Sequence, residues 1–358
     1  MEFLTRHGDI LGEYSRMSKA SGGRADYVQG GGGNTSAKLD GNLIAIKASG
    51  FCLKDIEPDR AYAVVDYAAL RRFYGGHEPG DFEDVEKAGS AEAKAATLAV
   101  EGLEQLRPSV EAGFHSLLDA YVSHTHSVYA NFAACAVGGR AVVEEALRGA
   151  DYGWGFVRYV NPGSRLTFSI RDELKRVERE TGKRPSAIFM ESHGLIVHGG
   201  EVDEVLRIQD DVNARIAAAF GLSGDSFPKV AVTCENGVCK ADCAYLKEQL
   251  KTGDFTEREF IYEPLYPDQL VFLGDGFSVG TGEPADGECV ANPETGEVAI
   301  RMPEKKALVI AETLAAIIFI RRAITASGRE VVSLGGAAKD FIANWESEKY
   351  RKQLAGKK

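Results

Sequence analysis

The segment from residue 107 to residue 126 constrains this chain more than any other part of it. Pro108 and Ser109 predict the start of a helix, with Ser109 as its N-cap. A short strand then leads into His124-Thr125-His126. Side chains two residues apart on a strand point to the same face, so these two histidines are spaced to bind one metal ion. A lone His-x-His pair is more typical of ordinary polar residues at a strand end than of a metal site.

A third histidine and an acidic residue favour the metal site. His193, in Ser192-His193-Gly194 between two short apolar strands, is the candidate third ligand. Histidine is the commonest metal ligand near neutral pH, and catalytic sites often use three protein ligands and leave one position open. We therefore predict a divalent-metal site on His124, His126 and His193.

Glu111 is the candidate catalytic base beside this site. Glu111 and His115 are four residues apart on the predicted helix from Val110 to Ala120, so they should share a face. A carboxylate held near the ion could take a proton from a carbon next to a polarised carbonyl. The alternative is a pair of side chains on a helix surface.

A glycine-rich loop is the third candidate element. Gly30 to Gly33 lead through Asn34-Thr35-Ser36 into a predicted hairpin whose second strand is Leu43 to Lys47. Backbone amides in such a loop can bind an anion, although the loop lacks the Gly-Lys-Ser/Thr of a P-loop. The alternative is a tight turn into the hairpin.

Composition limits the kinds of partner. The 358 residues carry a formal net charge of -11, which argues against a nucleic-acid partner. The N-terminus has no apolar signal-like segment, and the apolar run Ala307 to Ile320 is too short to span a bilayer. We therefore expect no membrane association, a cytoplasmic location and reduced thiols for the six cysteines.

A shift in composition near residues 221–225 divides the chain. We predict a metal-binding catalytic domain over residues 1–222 and a C-terminal α+β extension of unknown role over residues 223–358. For the extension, we predict strands at Leu270 to Leu273, Glu288 to Ala291 and Val298 to Arg301, and a helix from Lys305 to Ile324. Its Lys/Arg-rich end, Lys349 to Lys358, is expected to be a solvated tail.

Six short motifs follow one another in a characteristic order. They resemble those of the class II aldolase/adducin family, and in particular the aldolase half of bifunctional rhamnulose-1-phosphate aldolase/alcohol dehydrogenase proteins. The resemblance covers about residues 10–220. The motifs are Gly-Gly-Gly-Asn-Thr-Ser (31–36), Ile-Lys-Ala-Ser-Gly (46–50), Pro-Ser-Val-Glu-x-x-x-His (108–115), His-Thr-His-Ser (124–127), Tyr-Val-x-Pro-Gly (159–163) and Ser-His-Gly-Leu (192–195).

The resemblance implies an α/β fold: a three-layer α/β/α domain with a central, mainly antiparallel sheet. It implies Zn²⁺, or another divalent ion such as Mn²⁺ or Co²⁺, on the three histidines. The reaction implied is retro-aldol cleavage of a ketose-1-phosphate, with Glu111 as acid/base and the ion stabilising an enediolate. Homotetramers with sites between subunits are usual in the family, and Tyr159 matches a tyrosine that a neighbouring subunit contributes as proton donor. The implied phosphate contacts are Gly33, Asn34, Ser49, Gly50 and Ser109.

Departures from the family pattern leave other functions open. Val110 stands where sugar-phosphate aldolases often have a second serine, and the dehydrogenase half of the bifunctional relatives is absent. An epimerase, a dehydratase, a decarboxylase or a non-catalytic adducin-like module are the alternatives. The loop from Gly274 to Gly280 is poorly suited to bind a dinucleotide. The cysteines at 234, 239 and 243 form no standard zinc pattern, and we expect them to be reduced structural thiols.

Overall fold

The structure is a computed structural model that describes residues 2–344, so the predicted tail from Lys349 lies outside the described residues. Residues 2–220 of the described structure form nine α-helices and eight strands. The helices are α1 (Glu2–Arg6), α2 (Gly8–Gly22), α3 (Tyr67–Gly76), α4 (Val85–Ala95), α5 (Ala112–Leu117), α6 (Val128–Ala134), α7 (Gly139–Ala146), α8 (Ser164–Thr181) and α9 (Val202–Ala219). The strands are β1 (Asn34–Lys38), β2 (Leu43–Lys47), β3 (Tyr62–Asp66), β4 (Thr97–Leu98), β5 (Tyr121–Thr125), β6 (Gly153–Val157), β7 (Pro185–Met190) and β8 (Gly194–Gly199).

The eight strands form one sheet in the order β4-β3-β2-β1-β5-β8-β7-β6. Every neighbouring pair is antiparallel except β6 and β7. Side chains alternate between two apolar layers: Ile44 and Ile46 pack with α3, whereas Ala45 packs in the layer that contains α2, α6 and α9. The predicted α/β/α domain with a mainly antiparallel sheet is therefore confirmed.

The glycine-rich loop leads into β1, which lies beside β5 in the sheet. Gly33 has a φ of +63°, and a Cβ on it would lie 2.4 Å from the carbonyl oxygen of His124. Only glycine fits this close approach of two backbones at a positive φ. The loop therefore positions Asn34, which pairs with His124 in the sheet register.

The helix next to the site begins later than predicted. Helix α5 begins at Ala112, so its N-cap is Glu111 and not Ser109. Before the helix, Pro108 bridges to Ala48 next to β2, and the amide of Ala112 donates to the carbonyl oxygen of Ser109, which closes a turn. Farther from the site, α4 follows the N-cap Asp84, whose side chain accepts a hydrogen bond from the amide of Lys87.

The remainder of the described chain forms a second, smaller sheet with helices. Its order is β11-β12-β13-β10-β9, with only β11 and β12 parallel. The strands are β9 (Ala231–Glu235), β10 (Val238–Asp242), β11 (Phe277–Val279), β12 (Cys289–Ala291) and β13 (Val298–Ile300). The helices are α10 (Ala244–Leu250), α11 (Pro267–Leu273), α12 (Glu304–Ala326) and α13 (Gly336–Asn344), with single turns at Arg258–Tyr262 and Gly274–Gly276. The first part has single turns at Leu53–Asp55 and Pro79–Asp81.

Three predictions for this second part have clear outcomes. The strands near 289 and 298 and the long helix α12 are confirmed. The strand predicted from Leu270 to Leu273 is wrong, because these residues continue a helix that Pro267 opens at its first turn. The expectation of reduced thiols is wrong for Cys234 and Cys239, which form a disulfide across the β9–β10 hairpin, whereas Cys243 and Cys289 are free.

Helix α12 joins the two parts through a shared apolar core. Phe319 contacts Tyr129 and Phe132 of α6, with ring centroids 6.2 and 5.5 Å apart. Many buried apolar residues of the extension belong to the same core cluster as residues of α2, α6 and α9, whereas Leu334, Ala338 and Ile342 form a small separate cluster. Among the described residues, no helix has both the length and the apolar character needed to cross a membrane.

Candidate metal centre

Three buried histidines meet at the end of the large sheet. His124 is on β5, His126 is the first residue beyond it, and His193 lies in the turn between β7 and β8. One ring nitrogen from each histidine lies within 4.8 Å of the others, and the Nε2 atoms of His124 and His126 are 3.1 Å apart. All three side chains are at most 7% exposed. The predicted ligand set is thus brought to one point.

Two of the three rings are held by hydrogen bonds at Nδ1. His124 Nδ1 lies 3.0 Å from the carbonyl oxygen of Leu195, which fixes Nδ1 as the donor and leaves the Nε2 lone pair free. His126 Nδ1 lies 2.5 Å from Oδ2 of Asp268. Such partners orient histidine ligands in metal sites. The Nδ1 of His193 has no hydrogen-bond partner among the described residues.

Glu111 faces the histidines from the N-cap of α5. Its Oε2 is 3.5 Å from Nε2 of His124, and its Oε1 is 3.4 Å from Nε2 of His193. Oε2 accepts a 2.7 Å hydrogen bond from the side-chain amide of Asn34, whereas Oε1 is buried with no hydrogen-bond partner among the described residues. An unsatisfied buried carboxylate oxygen calls for a further partner, such as a cation or a substrate proton.

A chain of hydrogen bonds supports this carboxylate. His115 Nε2 donates to Oδ1 of Asn34, and His115 Nδ1 accepts from the hydroxyl of Ser36 at 2.7 Å. The amide of Asn34 is thereby oriented to donate to Glu111. Glu111 and His115 were predicted to share a helix face, but Glu111 precedes the helix and Asn34 connects the two side chains.

The electrostatics of the pocket suit a cation. Burial lowers the pKa of His193, and the pKa of His124 is lowered for the same reason. Burial alone would raise the pKa of Glu111, but the adjacent histidines and the Asn34 hydrogen bond lower it overall. Neutral imidazoles and an ionised carboxylate are the forms that bind metal, so the residues present fit a divalent ion.

The residues predicted to bind phosphate gather on the other side of Asn34. The Asn34 amide donates to Oγ of Ser109 at 3.2 Å, and Ser49 Oγ donates to the carbonyl oxygen of Pro108 at 3.1 Å. Gly50 follows Ser49 with a φ of +91°, while Gly33 precedes Asn34. The structure therefore brings these residues together, and their contact with phosphate stays a prediction.

Tyr159 lies in a different cluster. Its hydroxyl donates to Oδ1 of Asn161 at 3.1 Å, and its ring packs against Leu334, Ala338 and Ile342 of the C-terminal part. Burial raises the pKa of Tyr159 to about 12. Its role as a proton donor from a neighbouring subunit stays a prediction.

Sequence reasoning missed Asp268. This residue is on α11 and 3% exposed, yet it reaches His126 across 142 positions of sequence. No motif surrounds it; the one local signal is Pro267-Asp268, which is typical of the first turn of a helix.

Comparison with known proteins identifies the family. Residues 17–212, more than half of the chain, match the model of the class II aldolase and adducin N-terminal domain. The chain belongs to this family. A comparison with curated proteins found no match.

Solved structures with similarity to the chain include three from this superfamily, all of low identity. The first is the N-terminal class II aldolase domain of a conserved protein from Thermoplasma acidophilum, at 20% identity and a TM-score of 0.46, covering 57% of this chain and 90% of that one. The putative aldolase/epimerase/decarboxylase YgbL from Klebsiella pneumoniae has 19% identity and a TM-score of 0.40, with coverages of 60% and 90%. A sugar-phosphate aldolase from Thermotoga maritima has 12% identity and a TM-score of 0.42, with coverages of 60% and 94%.

Proposed function

We propose that the protein is a metal-dependent carbon–carbon lyase that cleaves a ketose-1-phosphate by retro-aldol chemistry. The observation that carries the proposal is the position of Glu111 beside three convergent buried histidines. Its Oε1 has no hydrogen-bond partner among the described residues and lies 3.4 Å from Nε2 of His193. A non-catalytic module would have no need of an ionisable carboxylate at the open side of a metal site.

Each residue has a defined part in this proposal. His124, His126 and His193 would hold the ion, Zn²⁺ in the first instance, which would supply Lewis-acid polarisation of a carbonyl. Glu111 removes a proton from the substrate hydroxyl as the carbon–carbon bond breaks and returns one to the carbon that carries the developing charge. Asn34 keeps the Glu111 carboxylate directed at the histidines through its 2.7 Å hydrogen bond.

The finer features of the proposal follow from the family and the sequence. Gly33, Asn34, Ser49, Gly50 and Ser109 would bind the substrate phosphate, with Val110 leaving one hydroxyl fewer than in related aldolases. Tyr159 would act in a neighbouring subunit of a cytoplasmic homotetramer. We also propose residues 1–222 as the catalytic domain and residues 223–358 as the extension. The narrower likeness to the bifunctional rhamnulose-1-phosphate proteins stays a prediction.

The test combines metal analysis with a substrate screen. Purified protein should contain about one zinc or equivalent ion per chain and should release dihydroxyacetone phosphate from one member of a ketose-1-phosphate panel. Glu111→Gln should keep the metal and lose about 100-fold or more in turnover. Glu145→Gln, an exposed glutamate bonded to Arg148, is the matched control and should turn over normally.

Two outcomes would redirect the proposal. Unchanged turnover in Glu111→Gln would remove Glu111 from the role of acid/base. Loss of carbon dioxide, loss of water or inversion at carbon, in place of cleavage, would assign the same site to a decarboxylase, dehydratase or epimerase.

A further inference from the structure

We infer that Asp268 is a positioning residue of the metal centre, and that the C-terminal extension thereby completes a site whose ligands all lie in the family domain. Asp268 holds His126 by its Nδ1 and supplies negative charge next to the ion. The inference rests on the metal centre of the proposed function and is independent of the reaction that the centre catalyses.

The contact between Asp268 and His126 is buried and direct. Oδ2 of Asp268 lies 2.5 Å from Nδ1 of His126, and both side chains are 7% exposed or less. The ring of Tyr266, two residues earlier, packs edge-on to the His126 ring with centroids 6.3 Å apart. A carboxylate that accepts from Nδ1 fixes the tautomer in which Nε2 is available to a metal.

The start of α11 is held firmly enough to position this carboxylate. The side-chain amide of the buried Gln269 donates to the carbonyl oxygens of Glu259 and Phe260 at 2.8 and 2.7 Å. Its Oε1 accepts from the amide of Leu265 at 2.8 Å. These three bonds fix Gln269, and with it the neighbouring Asp268, to the segment before α11. A precisely positioned side chain in a binding site requires such support.

The glycine-rich loop is shaped around the same carboxylate. A Cβ on Gly32 would lie 2.1 Å from Oδ2 of Asp268 and 2.9 Å from Nδ1 of His126. Gly30 is covered by Phe272 and Val309 of the extension in the same way, with its Cβ position 3.2 and 2.6 Å from their side chains. Glycine is therefore needed at Gly30 and Gly32 partly because side chains of the extension pack against them, and not only because the loop could bind an anion.

The charge of the centre supports a role beyond anchoring the extension. His124 is oriented by a neutral carbonyl, whereas His126 is oriented by a carboxylate. With Glu111, Asp268 brings the number of carboxylates at the buried centre to two, which matches the charge of a divalent cation. A purely structural contact would need no such balance and would leave metal affinity unchanged when lost.

The experiment measures Zn²⁺ affinity of the full chain by competition with a chromogenic chelator. Asp268→Asn should bind Zn²⁺ about 10- to 100-fold more weakly than the wild type, because the partner of a ligand histidine is lost. The Co²⁺-substituted variant should also show a shifted visible absorption band. Asp254→Asn is the matched control, since this aspartate of the extension pairs only with the half-exposed Arg322 and Thr252 side chains in the described structure, and it should bind Zn²⁺ normally.

A second variant covers the case in which Asp268→Asn does not fold. Gly32→Ala keeps every charge and ligand type but places a methyl group 2.1 Å from Oδ2 of Asp268 and 2.9 Å from Nδ1 of His126. It should separate these two side chains and weaken Zn²⁺ binding to a similar degree. Wild-type Zn²⁺ affinity and an unshifted Co²⁺ band in a folded variant would overturn the inference. Because chelator competition uses no substrate, failure to find lyase activity would affect the proposed function and leave this result intact.

Discussion

The two histidines of His124-Thr125-His126 belong to one motif but depend on different parts of the molecule. His124 is oriented by the backbone of β8, within the segment that matches the family. His126 is oriented by Asp268, which lies beyond that segment. All three candidate ligands therefore lie in the segment that matches the family, whereas the side chain that orients one of them lies in the C-terminal extension.

Glu111, the other carboxylate at the centre, is held in the described structure by the family segment and not by the extension. Glu111 is supported by Asn34, His115 and Ser36, all of which lie in the family segment. The centre therefore has an inner side, formed by Glu111 and its partners in the family segment, and an outer side, formed by Asp268 of the extension and His126. Under the proposed function, the inner side would serve proton transfer and the outer side would serve metal binding, so variants of the two sides should affect different quantities.

Removal of a ligand should have the largest effect. His193→Ala should weaken Zn²⁺ affinity by more than about 100-fold, beyond the range expected for loss of an outer partner such as Asp268. Chelator competition on both variants checks the order. His77→Ala is the control, because this exposed ring bonds only to the backbone carbonyl of Phe73 among hydrogen-bonding partners in the described structure. An equal loss of Zn²⁺ affinity in His193→Ala and Asp268→Asn would contradict this order of effects.

Loss of His115 should have an intermediate effect on the inner side alone. His115→Leu leaves Oδ1 of Asn34 buried without its donor, which should reduce the free energy of unfolding by about 1–3 kcal/mol. Turnover should fall about 10-fold as Glu111 loses its orientation, while Zn²⁺ affinity stays at the wild-type value. Denaturant unfolding, steady-state kinetics and chelator competition measure the three quantities.

His115→Gln is the matched variant, because its side-chain amide can donate to Asn34 again and should restore part of the turnover. A fall in Zn²⁺ affinity in His115→Leu as large as that in Asp268→Asn would contradict the separation of the two sides.

The inner side was largely predictable from sequence because its residues lie in short local patterns. The His-x-His pair, the turn that contains His193 and the Glu111 segment each mark their own place, and the sheet brings them together. The error concerned local geometry: Ser109 was expected to cap the helix, but Pro108 bridges to Ala48 and a turn over Val110 and Glu111 delays the helix until Ala112. That shift directs Glu111 toward the histidines.

The outer side was not predictable because its one key contact is long-range and its local structure is ambiguous. Leu270 to Leu273 is a short apolar run, which suits a buried strand as well as a helix. The segment forms helix α11 because Pro267 suits its first turn and because the helix packs against α12. The predicted strand from Leu270 to Leu273 gave no reason to place Asp268 next to His126, so this contact was not predicted.

The smallest effect should come from the part of the extension that lies away from the centre. The β9–β10 hairpin is largely exposed, and its disulfide joins cysteines with a sequence separation of 5. Replacing both Cys234 and Cys239 by serine should reduce the free energy of unfolding by at most about 2 kcal/mol, because a short closed loop restricts the unfolded chain only slightly. Zn²⁺ affinity should not change, and reduction of the wild type should reproduce both results. If Zn²⁺ affinity fell with the disulfide, the hairpin would be coupled to α11, and the extension would act on the metal as one unit and not through Asp268 alone.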